Sequence, residues 1–133
     1  MNSRSANDWI YDIRMSFDLI WQDIGNMNHD DFYADGKTVR AVVASIANIG
    51  EASKQVMSLH PEFEHGNPEL WSHLKRSYAM RNKILHGYFQ VDPQIVWTAV
   101  TGFFPGFQET IDKIKSNDGE NGAGGSGNIP HPS

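Results

Sequence analysis

Residues 67–88 read NPELWSHLKRSYAMRNKILHGY, and this stretch carries both a helix and the chemistry on it. Asn67 can cap a helix, Pro68 suits the first helical position, and Glu69 places an acid at the positive end of the helix dipole. Leu70, Trp71, Leu74, Tyr78 and Leu85 recur at helical steps, and Gly87 is the natural stop. The spacing therefore predicts one long helix that ends in Arg81-Asn82-Lys83-Ile84-Leu85-His86-Gly87-Tyr88.

Upstream, His60-Pro61 ends another helix, because a residue before proline is pushed out of the helical region. Residues 60–68 read as a loop. The helix before it starts near Thr38 and carries Val39, Val42, Val43, Ile46, Ile49 and Val56, while Ala41, Ala44, Ala47 and Gly50 allow close packing. Asn28 to Asp35 is acidic, with a short helical turn expected around Phe32 and Tyr33. The first helix carries Ile10, Ile13, Phe17, Ile20, Trp21 and Ile24 in one stripe. Asn7 is its expected cap and Gly25-Asn26 its stop. Trp9, Trp21, Trp71 and Trp97 sit in or beside apolar stripes and are expected in the core.

Downstream, Asp92-Pro93 opens a last helix with Ile95, Val96, Val100, Phe103 and Phe104. Pro105-Gly106 should kink or break it before Phe107, Ile111 and Ile114. From Ser116 the chain turns to Gly, Asn, Asp, Ser and Pro, a composition that cannot bury a core. The expectation is an all-α, up-and-down bundle of four or five helices over residues 1–115, with a disordered tail over 116–133.

Composition narrows the function. The 133 residues include no cysteine, which excludes disulfides, thiolate metal sites and cysteine nucleophiles. No apolar run approaches the roughly 18 residues of a membrane span. The start of the chain is polar, so no signal peptide and a cytoplasmic location are expected. The net charge of −5 argues against a general nucleic-acid binder, and no DNA partner is expected. The charge is uneven, however. Leu70 to Val91 holds no acid and contains Lys75, Arg76, Arg81 and Lys83. His60, Glu62, Glu64 and His65 follow no helical zinc spacing, and no metal or cofactor is expected.

The motif R-N-x-x-x-H-x-Y at Arg81–Tyr88 resembles the R-x(4–6)-H signature of HEPN-domain ribonucleases. It is similar in particular to the R-x-x-x-x-H-x-Y form of the HepT-like toxins. Ile49-Gly50-Glu51-Ala52-Ser53-Lys54 and the stretch from Met80 to Asp92 resemble two further family segments. The likeness covers roughly residues 8–115 and departs from the family at a longer, polar approach, His60 to Asn67.

The residue types suit RNA cleavage without a metal. An unperturbed imidazole has a pKa of about 6.5 and exchanges a proton near neutral pH, and a guanidinium is a permanent fork for phosphate oxygens. Each residue also has a plainer reading: His86 as a helix cap, Arg81 as a surface ion-pair partner, Tyr88 as a core aromatic. Their joint spacing and acid-free setting favour the functional one.

The resemblance implies Arg81, His86 and Asn82 as catalytic residues and a homodimer in which both chains supply an Arg and a His. It implies Tyr88 as the residue to which a minimal nucleotidyltransferase antitoxin attaches AMP, which would make the chain the toxin of a toxin–antitoxin pair. Lys75, Arg76 and Lys83 are candidate RNA contacts, and Glu51 and Lys54 candidate polar residues of the cleft. The alternative is a non-catalytic HEPN partner that binds nucleotide or substrate for a nucleotidyltransferase.

Overall fold

Capping residues decide where most of the helices begin. The computed structural model describes residues 4–86 and 91–114, and among these it is helical without strands. Helix α1 (Ala6–Ile24) starts on a reciprocal box: the Asp8 N–H donates to Ser5 Oγ at 3.2 Å, and the Ser5 N–H donates to Asp8 Oδ2 at 3.0 Å. The cap is thus Ser5 rather than Asn7, because Asp8 falls at the third helical position and closes the box. Gly25 ends α1 with φ of 56°, a left-handed conformation that glycine adopts freely.

A second box, Asn28 with Asp31, starts the short α2 (His29–Ala34). Asp35 Oδ1 accepts from the Thr38 N–H at 3.0 Å and starts α3 (Gly36–Leu59), two residues before the sequence suggests. The expected loop after His60 contains one helical turn, α4 (Phe63–Gly66). Helix α5 (Pro68–Leu85) starts as predicted, with Asn67 Oδ1 accepting from the Leu70 N–H at 3.2 Å.

Asp92 caps α6 (Pro93–Thr98), which runs through a π turn (Ala99–Phe103) into the helical residues 104–114, here α7. Pro105 does not break this helix. A proline ring clashes with the carbonyl four residues earlier in a regular helix, and the wider π turn relieves that clash. The turn closes with the Phe104 N–H donating to the Ala99 carbonyl, and the Thr101 hydroxyl donates to the Trp97 carbonyl at 2.8 Å.

Helix α3 is central, packed on α1 along one side and on α5 along another. Phe17 of α1 meets Phe104 and Phe107 edge-on at 5.2 and 5.3 Å, which ties the first helix to the last. His73 of α5 stacks on Phe107 at 5.2 Å and closes the ring of helices. Three apolar expectations fail, and one is Ile95, which is 37% exposed beside buried Val96. Leu85 is 41% exposed while Ile84 is buried, because Leu70, Leu74, Ser77 and Ile84 share one face and Leu85 turns away from it. Trp21 is 37% exposed and sends its Nε1–H to Gln108 Oε1 at 3.1 Å, a surface link rather than a core contact. Trp9, Trp71 and Trp97 are partly buried against the core. Of the predicted small residues on α3, Ala44 is exposed, and Gly50 makes the close approach. The tail and Gly87 lie outside the described residues.

Candidate functional site

Arg81 occupies a position on α5 that a hydrophobe would normally hold. At 3.6 residues per turn it lies on the same face as Leu74, Ser77 and Ile84, all buried. Gly50 makes this possible. A Cβ placed on Gly50 would lie 2.7 Å from Arg81 Cδ and closer still to Arg81 Cβ, so the arginine stem lies directly on the α3 backbone. The side chain remains 27% exposed, and its Nε is buried without a protein partner. The tip turns outward: Nη1 donates to Asn82 Oδ1 at 2.8 Å, and Nη2 stands 4.0 Å from Glu51 Oε1. Glu51 is also held from its own helix, where Gln55 Nε2 donates to Oε2 at 3.0 Å. The guanidinium is therefore positioned by two neighbours yet open to a further anion.

His86 is the C-cap of α5, its N–H donating to the Asn82 carbonyl at 2.9 Å and its side chain exposed. Five residues separate it from Arg81, which is about 140° around the helix. No hydrogen bond joins the two side chains among the described residues. Arg81, Asn82 and Glu51 are brought together, and His86 stands at the helix end with no hydrogen bond to its imidazole among the described residues. Tyr88 lies outside the described residues.

Lys54 is exposed, with Nζ 5.9 Å from the centroid of the Tyr78 ring, the outer limit of a cation–π contact. Lys75, Arg76 and Lys83 are all exposed. Arg76 Cζ lies 4.3 Å from the centroid of Phe103, and Lys83 is two turns further along α5. Sequence reasoning missed Gly50 as the seat of Arg81. The glycine is visible in the sequence, but its contact 31 positions later is not. Among the described residues, no cluster of three or more His, Asp or Glu is placed to hold a metal, and no helix is long and apolar enough to cross a membrane.

A family model described as ribonuclease HepT-like matches residues 16–114. The chain belongs to the HepT-like ribonuclease family. A protein of Thermococcus cleftensis named a probable ribonuclease HepT is 33% identical over 113 residues, covering 84% of this chain and 97% of the relative. A Methanocaldococcus jannaschii protein, named as a candidate RNase, is 31% identical over 122 residues, with 90% and 96% covered. A similarly named protein of Caldanaerobacter subterraneus is 26% identical over 112 residues. No solved structure matches the chain. In this member of the HepT-like family the R-x-x-x-x-H pair sits at the C-terminal end of α5, where the helix leaves the apolar core.

Proposed function

We propose that the chain is a metal-independent endoribonuclease, the toxin of a toxin–antitoxin pair. The observation that carries the reading is the seating of Arg81. A guanidinium whose stem is fixed against Gly50 and whose tip is held by Asn82, with Glu51 4.0 Å away, is preorganised for a phosphate. The RNA 2′-oxygen attacks the adjacent phosphorus, and the bond to the 5′-oxygen breaks, leaving a 2′,3′-cyclic phosphate and a free 5′-hydroxyl. His86 moves the proton, taking it from the 2′-hydroxyl or giving it to the 5′-oxygen, and Arg81 offsets charge on the phosphoryl oxygens. The wide angle between Arg81 and His86 favours a two-fold homodimer in which both chains furnish one cleft. The folded protein should cut RNA with excess chelator present, and folded His86→Ala should not. Intact RNA with the wild-type protein would favour the alternative, a non-catalytic partner that presents substrate to a nucleotidyltransferase.

The off-switch in this reading is Tyr88. Its phenol oxygen attacks the α-phosphorus of ATP on a minimal nucleotidyltransferase, forming an O–P bond and releasing pyrophosphate. The added phosphate competes for Arg81 with the RNA backbone. Tyr88→Phe should keep the fold and cleavage yet escape neutralisation. Intact-mass spectrometry with transferase and ATP checks this: AMP-sized additions that persist on Tyr88→Phe would move the modified residue elsewhere.

A further inference from the structure

On a different face of α5 from Arg81 lies a groove of about 670 Å³ that the cleavage step does not use. Arg76, Met80 and Lys83 stand at i, i+4 and i+7, so they form one wall. Gln94, Thr98 and the π-turn residues Ala99, Gly102 and Phe103 form the other.

Two observations separate this groove from an ordinary gap between helices. The first is the residue content of the π turn. Pro105 accounts for the turn but requires neither Ala99 nor Gly102 on its groove side. A Cβ on Gly102 would meet no heavy atom within 4 Å, so the space beside it is open rather than filled by a packed neighbour. π turns also gather at functional sites.

The second is the cation. Arg76 lies over the Phe103 ring at 4.3 Å and is nevertheless exposed, so a flat group can stack on its free side. Unstacked RNA bases are bound in this way, on aromatic rings and on guanidinium planes. Charge agrees. Arg76 and Lys83 face one acid in the groove wall, Asp92, and its carboxylate is engaged in capping α6, where Oδ1 accepts from the Gln94 N–H at 2.9 Å. Gln94 and Thr98 are exposed and offer an amide and a hydroxyl to a base edge.

We propose that this groove is a nucleobase subsite for single-stranded RNA. One base, turned out of its stack, lies on Arg76 above Phe103, and Lys83 holds a phosphate on the path toward His86. The subsite rests on the ribonuclease reading above, but binding can be measured apart from cleavage. It gives Arg76 and Lys83 a common role, and it makes recognition depend on a base flanking the cut.

The test uses the full chain and a fluorescein-labelled 2′-O-methyl hexaribonucleotide, whose blocked 2′-oxygens cannot attack phosphorus. Anisotropy should show binding that weakens about ten-fold when one position is made abasic, in line with the loss of one stacked base. Gly102→Leu adds a side chain to the groove wall at a position where a Cβ meets no heavy atom within 4 Å, and Arg76→Met removes the plane and charge while keeping the stem. Both variants should bind the intact oligonucleotide about as weakly as the wild type binds the abasic one, and neither should distinguish the two. If Gly102→Leu fails to fold by circular dichroism, Arg76→Met carries the test. Wild-type affinity and discrimination in the folded variants would overturn the subsite. So would indifference of the wild type to every abasic position, absence of binding, or a change of assembly mass in Gly102→Leu, which would make the groove an interface between copies. Failure of the wild type to cut ordinary RNA would instead count against the cleavage reading alone, since the abasic comparison does not involve cleavage.

Discussion

Helix α3 takes part in two seams that are filled differently. On the other side of one, α1 buries Ile10, Ile13, Phe17, Ile20 and Ile24 with a single polar residue, Ser16. Across the other, α5 buries Leu70, Leu74, Ser77 and Ile84, and between the last two it lays the stem of Arg81 on Gly50. Among the described residues, Ser53 Oγ on α3 and Ser77 Oγ and Arg81 Nε on α5 are buried without protein partners, and so are Trp9 Nε1 and Arg14 Nε on α1. Buried polar groups of this kind cost stability unless paired, and on α5 one of them belongs to the arginine of the R-x-x-x-x-H pair. The α1 seam holds the bundle together, while the α5 seam gives up some of that stability to hold a cation in place.

The largest expected effects separate the two seams by what they destroy. Phe17 is fully buried against Phe104 and Phe107, and Phe17→Ala should cost about 3–5 kcal/mol, much of the stability of a domain this size. Denaturant unfolding measures it. His86→Ala touches an exposed cap and should leave the unfolding midpoint nearly unchanged while cleavage falls at least about 100-fold. If Phe17→Ala is as stable as the wild type, or if His86→Ala unfolds, the division of labour between the seams is wrong.

Gly50→Ala probes the α5 seam itself. The new methyl would meet the Arg81 stem at well under contact distance, so α5 must shift or the arginine must leave its seat. The expected loss is about 1–3 kcal/mol, the range for overpacking, with cleavage falling further than the lost folded fraction explains. Gly66 is the control, since a Cβ there meets nothing within 4 Å and Gly66→Ala should be neutral or slightly stabilising. Equal effects at both glycines would show that the close approach is not what matters.

The sequence makes some of this contrast legible and hides the rest. The starts of α5 and α6 follow from Asn67-Pro68 and Asp92-Pro93, because capping is a property of adjacent residues. The stripe of α1 is equally local. The Arg81 and His86 pair is visible as a spacing, and the resemblance to HepT-like proteins gives it meaning. What stays hidden depends on tertiary contact. Arg81 breaks the apolar pattern of α5, so the stripe is drawn through Leu85 when Ile84 faces the core. The same blindness makes Pro105 look like a kink or a break, since the π turn that accommodates it has no short sequence signal. The seat of Arg81 on Gly50 needs two helices to be placed before it can be seen at all.

The smallest expected effect lies at His73, where α5 and α1 meet the same ring of α7. Its ring stacks on Phe107, which also meets Phe17, so it joins α5 to the aromatic contacts of α1. Burial pushes the imidazole below its ordinary pKa of 6.5; Glu69 opposes that shift and Arg76 adds to it. The folded chain thus prefers the neutral ring. For a base with a depressed folded pKa, the unfolded state takes up the proton first as pH falls. The stabilisation is present in full above the ordinary pKa and is lost as pH drops from about 6.5 through the lower folded value. The ring is only partly buried, so solvent screening keeps the effect small. His73→Phe keeps a ring against Phe107 and removes the titration. The difference in melting temperature between wild type and His73→Phe should therefore move in favour of the variant as pH is lowered below 6.5. A difference that stays constant across that range would mean that the ring packs equally well in both charge states.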